Sequence, residues 1–221
     1  MQSSHGSSGV SVAFDESNLV ANAGLVSLVR LAERRGLPDL VADRLRITSV
    51  ANSAGAMNRL FAGVRAPSIL GSFLRAFTHA HVRQLHAVHR EFLARLAHST
   101  PLLPGVGQVA FVDVDPTHRR VFGYAKQGAK VGRLKGQWTL HPILATLSTP
   151  LARPVIAAVR LRRGKAADAR GAGPFTGEAL AAARQAGATG TVVVRADSQF
   201  HNADVTAACR RAGAASRSRC G

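Results

Sequence analysis

The hydrophobic and polar positions follow two regimes along the chain, changing from helical to strand spacing near residue 105. Residues 18–46 read as two helical segments broken at Gly36-Leu37-Pro38. Asn22 is a candidate cap for residues 23–35, a segment that sets Leu25, Leu28, Val29 and Ala32 on one face. Asp39 is a candidate cap for a second, short helix reaching Leu45, and residues 47–58 have the composition of a connector. Residues 68–97 form the clearest helical stretch, with Leu70, Phe73, Leu74, Phe77, Val82, Leu85, Phe92 and Leu96 at three- and four-residue spacings. Two prolines between Thr100 and Pro104 close this half.

Beyond it the period becomes that of strands. Residues 109–115 (Val-Ala-Phe-Val-Asp-Val-Asp) predict a buried strand ending in two carboxylates. A short run at 120–124 precedes a glycine- and lysine-rich loop at 125–136. Residues 137–147 and 155–161 predict two further strands, antiparallel and turning at 148–154. An alanine-rich helix at 174–186, a β-branched strand at 191–196 with Asp197 at its end, and a helix at 203–212 follow. Three strands, a helix, a strand and a helix make an α/β pattern with a mixed sheet.

Composition sharpens this. With 29 Lys+Arg against 12 Asp+Glu, the 221-residue chain carries a formal charge of +17, which points to a polyanion and first to nucleic acid. The charge is uneven: residues 1–100 hold 11 basic and 6 acidic side chains, and residues 101–221 hold 18 and 6. The start is Ser/Gly-rich without the basic-then-apolar order of a secretory signal, and is expected to be a disordered leader over residues 1–13. The longest apolar stretch, 142–159, is interrupted by Pro150, Arg153 and Pro154, so no membrane span is expected. Two cysteines, Cys209 and Cys220, exclude a disulfide scaffold or a four-thiolate zinc site. A soluble protein of a reducing compartment is expected.

Alternation places Asp113 and Asp115 on one face of their strand, and Asp197 ends another. If these strands are neighbours, Asp115 and Asp197 reach the same ion. Carboxylates brought together need a cation between them, and hard oxygen ligands favour Mg²⁺ or Mn²⁺. The alternative is that the acids are strand-end residues paired with nearby arginines.

The ordered residues around these acids carry a resemblance. Phe111-Val-Asp-Val-Asp-Pro-Thr-His118, Gly123-Tyr-Ala-Lys-Gln-Gly-Ala129, Leu161-Arg-Arg-Gly-Lys165, Ala169-Arg-Gly171 and Val194-Arg-Ala-Asp-Ser198 with Phe200 resemble the catalytic domain of DDE transposases of bacterial insertion sequences. The likeness is greatest to the family numbered thirteen-eighty, within the insertion-sequence-four-like transposases. The N-terminal half resembles it at Asn18-Leu-Val-Ala-Asn-Ala-Gly-Leu25, Leu31-Ala-Glu33 and Gly63-Val-Arg-Ala-Pro-Ser68. The resemblance implies a helical DNA-binding region at 14–104 and a ribonuclease-H-like catalytic domain at 105–214. It implies that Asp115 and Asp197 are catalytic and, with Asp113, metal ligands. It further implies two Mg²⁺ (or Mn²⁺) ions in an intact member and strand cleavage and transfer at the terminal inverted repeats of an element.

Two departures accompany it. The family's third acid, a Glu, lies well downstream of the second Asp, whereas no Asp or Glu follows Asp204 here. The tail, residues 215–221 (Ala-Ser-Arg-Ser-Arg-Cys-Gly), lacks an apolar period and the likeness. The family's last strand and catalytic helix are therefore expected to be missing and the sheet incomplete, the tail being an out-of-frame ending; a downstream reading frame that does not continue the family would sink that expectation. Helical sequence that members usually carry before Arg59-Leu-Phe-Ala-Gly63 is also shortened, at residues 47–57.

Other signals are weaker. Lys126, Lys130, Arg133 and Lys135 among Gly128, Gly132 and Gly136 suit phosphate contact or a solvated hairpin. Arg160, Arg162, Arg163 and Lys165 suit a DNA groove or a solvated loop. His79, His86 and His89 share a helix face that could ligate zinc, though surface histidines aiding DNA contact at low pH fit better. Glu178 precedes Asp197 and reads as a surface residue, and Cys209 as a packed one. The chain is thus expected to be a transposase-derived DNA-binding protein, cytoplasmic and nucleoid-associated, ancestrally a metal-dependent strand-transfer enzyme and inactive for want of the third acid. It is expected to form homo-oligomers or mixed oligomers with intact transposase. The alternatives are a non-enzymatic DNA binder that interferes with an intact transposase, and an unfolded pseudogene product.

Overall fold

A computed structural model describes residues 23–46, 77–122, 127–131, 136–167, 169–200 and 202–219. The chain divides into two compact units, Met1–Phe92 and Leu93–Gly221. In the first, α1 (Ala23–Arg34) and α2 (Leu37–Arg44) meet at Gly36, whose φ of 71° is the left-handed conformation that favours glycine. Pro38 sits in the first turn of α2, where its missing N–H costs nothing. Asp39 therefore lies inside that turn rather than capping it. The third helix, α3 (His79–Ser99), starts later than the hydrophobic spacing predicts for the described part. Thr78 donates its backbone N–H to the His81 ring at 3.1 Å, a side-chain substitute for a helical acceptor at that end. The connector at 47–58 and the expected helical residues 68–76 lie outside the described residues.

The second unit is a mixed α/β structure. Its strands are β1 (Val109–Pro116), β2 (Arg119–Arg120), β3 (Lys130–Val131), β4 (Trp138–Leu140), β5 (Ile143–Thr149), β6 (Ala152–Arg160), β7 (Thr191–Asp197) and β8 (Ala215–Arg219). Helices α4 (Ala172–Gln185) and α5 (Ala203–Arg211) flank β7 in sequence. Five strands form one sheet in the order β6-β5-β1-β7-β8, and a small sheet runs β2-β4-β3. β1 is antiparallel to β5 and parallel to β7; β7 and β8 are also parallel. Each parallel step is entered through a helix, as such connections require.

Alternation builds the core. Ala110, Val112 and Val114 of β1, Val192 and Val194 of β7, and Ala145 and Leu147 of β5 are buried, joined by Phe175, Ala179, Leu180, Ala182 and Ala183 of α4. Small residues let α4 lie close. A Cβ added at Gly173 would stand 2.7 Å from Cβ and 2.9 Å from the carbonyl carbon of Asp204 at the start of α5. Asn202 caps α5, its side-chain oxygen accepting from the Val205 N–H at 3.0 Å. Arg184 ties the far ends together, donating to the carbonyls of Ala188, of Gly190 at 2.9 Å and of Ala212 at 3.2 Å.

Two expectations are corrected. The single strand read at 137–147 is two strands in different sheets, split at His141-Pro142. Proline offers no N–H to a ladder, and the His141 N–H turns instead to the Arg162 carbonyl at 3.1 Å. The tail, expected to leave the sheet without a last strand, forms β8 and extends it to five strands by pairing Ala215 to Arg219 along Val193 to Asp197. Backbone groups alone make that ladder, so an edge strand needs no apolar period. Arginine on such an edge also discourages further strand addition.

Candidate active site

β1 and β7 are central, parallel and in register, Val114 lying beside Ala196. Asp115 and Asp197 are the next residues on each, so the two carboxylates leave adjacent strand ends about 4.8 Å apart. β1 then passes Pro116 and crosses to the small sheet, where the Thr117 N–H donates to the Pro142 carbonyl at 2.9 Å. This stitch brings the start of β2 against the break between β4 and β5. The result is a cleft of about 150 Å³ lined by Asp115, Pro116, His118, His141, Asp197, Gln199 and Phe200.

Burial and then the charge of Asp197 push the Asp115 carboxyl above its ordinary range. Asp197 accepts the Ser198 N–H at 3.2 Å as the chain enters the single turn Ser198–Phe200. Phe200 is buried and anchors that turn, placing Gln199 at the cleft wall. The two histidines stack with ring centroids 4.1 Å apart and planes within 5°. His141 is buried, its Nδ1 lies 3.0 Å from the Ala166 carbonyl, and its own carbonyl accepts from Arg162 Nε at 3.1 Å.

Asp113 shares the face of Asp115 but stands directly beside Arg195. The guanidinium grips it in a bidentate pair, Nε to Oδ1 at 2.6 Å and Nη2 to Oδ2 at 2.7 Å. Arg195 also covers the Phe111 ring at 4.3 Å. The three carboxylates are thus divided: Asp115 and Asp197 line the cleft, and Asp113 is neutralised outside its lining. Among the described residues, no group of three His, Cys, Asp or Glu is placed to hold a metal, which includes the face of His79, His86 and His89. Burial and the neighbouring His86 lower the pKa of His89, which favours the neutral ring. The donor set at the cleft nonetheless suits Mg²⁺ or Mn²⁺, because such ions are held by one or two carboxylates together with water and substrate phosphate oxygens.

The basic residues separate into three groups. Lys126, Arg133 and Lys135 lie outside the described residues. Arg160 pairs with Glu178 at 2.7 Å, donates to the Gly171 carbonyl at 3.2 Å and covers Phe175, while Arg162 binds the carbonyls of His141 and, at 3.2 Å, Ala167. These two arginines are structural ties, and Glu178 is a surface partner. Lys130, Arg163 and Lys165 are exposed and close in the fold: the Gly128 carbonyl receives the Gly164 N–H, and Leu140 bridges Arg163. Gly164 is needed there, since a Cβ would stand 2.1 Å from the Thr139 carbonyl oxygen.

Reasoning from the sequence missed His141 and Gln199, and gave His118 no role. The signal for His118 was its place three residues beyond Asp115; for His141, the proline after it. Cys209 is buried as expected, and burial raises its thiol pKa. No helix among the described residues is long and apolar enough to cross a membrane. Comparison with known proteins finds no matching family model and no matching curated protein.

Proposed function

We propose that this chain is a transposase-derived DNA-binding protein whose cleft is a DDE-type phosphodiester site of a ribonuclease-H-like domain. The observation that carries the reading is the placement of Asp115 and Asp197 at the ends of adjacent central parallel strands, in one cleft. The sheet supports it: an antiparallel meander, extended by two parallel strands through helices, is also the arrangement of a ribonuclease-H-like domain. The ordered motifs given above supply the DNA transposition part of the reading.

Asp115 and Asp197 would hold Mg²⁺ or Mn²⁺. When bound, such an ion withdraws charge from a phosphate and makes water or a 3′ hydroxyl a better nucleophile. The chain itself supplies two carboxylates aimed at one place, a cleft walled by His118, His141 and Phe200, and the exposed cations Lys130, Arg163 and Lys165 for backbone phosphates. Arg195 keeps Asp113 out of the negative charge facing the DNA. Among the described residues, Asp115 and Asp197 are the carboxylates that line the cleft and no third acid joins them, so binding without cleavage is the expected behaviour. Its partners are then the inverted repeats of an element and, through shared ends, an intact transposase, in the bacterial cytoplasm at the nucleoid.

The test is DNA binding by the full chain as a function of salt and divalent ion. Affinity should fall as salt rises, and replacing Lys130, Arg163 and Lys165 with Ala should flatten the logarithmic slope by about 1 per residue. Ca²⁺ should tighten binding, and Asp115→Asn with Asp197→Asn should remove that gain. Affinity indifferent to divalent ions and to both acids would sink the reading; cleavage of element ends with Mg²⁺ would overturn the expectation of inactivity.

A further inference from the structure

We propose that His118 is a substrate-contacting residue of the cleft, held in the Nε2–H tautomer so that it donates a hydrogen bond to a phosphate oxygen of bound DNA; this rests on the reading of the cleft given above. The juxtaposition is the reason: His118 shares the cleft with Asp115 and Asp197, yet its enclosed Nδ1 meets no hydrogen-bond partner among the described residues. A buried N–H without an acceptor is the more costly of the two orphan states, and a buried lone pair without a donor the more tolerable. The enclosed Nδ1 therefore carries the lone pair, and the proton of the neutral ring sits on Nε2. That nitrogen is left to meet a ligand.

The ring is held by stacking. It lies flat on His141, 4.1 Å away, and His141 is fixed by the Ala166 carbonyl at its Nδ1 and by Arg162 at its own carbonyl. One residue earlier, the Thr117 N–H is bound to the Pro142 carbonyl. Stacking and this backbone stitch orient His118. A donor preset beside two carboxylates suits an anion that also carries a cation to those carboxylates, which a DNA phosphate does.

The experiment uses the full chain and a short DNA duplex, with Ca²⁺ and with EDTA, following fluorescence anisotropy. His118→Phe keeps a flat ring against His141 and removes the donor; it should lose at least about tenfold of the Ca²⁺-dependent affinity. His118→Gln places an amide N–H near the Nε2 position and should recover most of that loss. Independently, ¹⁵N chemical shifts of His118 in the wild-type protein should show Nε2 protonated and Nδ1 bare, with Nε2 moving when DNA is added. A protonated Nδ1 in the neutral ring, or equal Ca²⁺-dependent affinity of wild type and His118→Phe, overturns the inference alone. Wild-type protein with no Ca²⁺-dependent DNA binding overturns the reading of the cleft and this inference with it.

Discussion

Asp115→Asn should stabilise the metal-free protein at neutral pH while abolishing its response to Mg²⁺. Two carboxylates on neighbouring strands about 4.8 Å apart repel by about 1 kcal/mol with water-like screening and about 3 kcal/mol at the effective dielectric of a protein surface. Asp115 is exposed at its strand end, so the lower figure applies. For a chain of this size, about 1 kcal/mol is worth about 2–4 °C in Tm. The pH dependence has a definite sign. Burial and Asp197 raise the folded pKa of Asp115 above the ordinary 3.8, so the folded state binds the proton more tightly than the unfolded one. Wild-type stability therefore falls as pH climbs from 3.8 through the raised value, and the full cost is present at pH 7. The advantage of Asp115→Asn should shrink as pH is lowered through that window. Thermal unfolding in EDTA, followed by circular dichroism from pH 3 to pH 7, measures this directly. Saturating Mg²⁺ should raise the wild-type Tm, by about 2.7 kcal/mol of stability at a hundredfold excess over Kd, and leave the variant unmoved. A variant that melts below wild type in EDTA at pH 7, or an advantage that does not change with pH, would refute the repulsion.

Three further outcomes follow from the geometry. Asp113→Asn removes one side of a half-exposed bidentate pair; chemical denaturation should show a loss of about 1 kcal/mol or less, with the Mg²⁺ response of Tm retained. Arg184→Met strips the carbonyls at the ends of α4 and α5 of a charged donor, and should cost about 1.5–3 kcal/mol in urea unfolding. Gly173→Ala forces a methyl group against the Asp204 backbone and should cost about 1–3 kcal/mol; an unchanged midpoint would mean that α4 and α5 separate without penalty.

The parallel strands that carry the acids were readable because β-branched alternation and a terminal Asp are local features: residues 109–115 and 191–196 became β1 and β7 within a residue. α4 was readable from its alanines at helical spacing. The bend at His141-Pro142 was hidden because both flanks are equally apolar and only the Arg162 carbonyl, 21 residues away, decides where the His141 backbone turns. β8 was hidden because its ladder uses backbone atoms. The basic run 160–165 shows the limit of reading charge: Arg160 and Arg162 are committed to Glu178 and to loop carbonyls, while Arg163 and Lys165 remain exposed. The division of labour between Asp113 and Asp115, two residues apart, depends on which stands beside Arg195, and that is a matter of register.

The cleft is drawn from three segments, and the last of them arrives late. β5 and β6 are joined by a tight turn, and β1 reaches β5 through the small sheet, so these three strands can pair without β7, which brings Asp115, His118 and His141 together early. Asp197 joins only when β7 closes on β1 across 82 residues, after α4 has formed and packed. A chain arrested at these three strands would therefore carry most of the cleft wall but only one of its two facing carboxylates. Divalent-ion response, followed in time during refolding, would then mark the closing of the parallel pair, separating finished molecules from those that are merely collapsed.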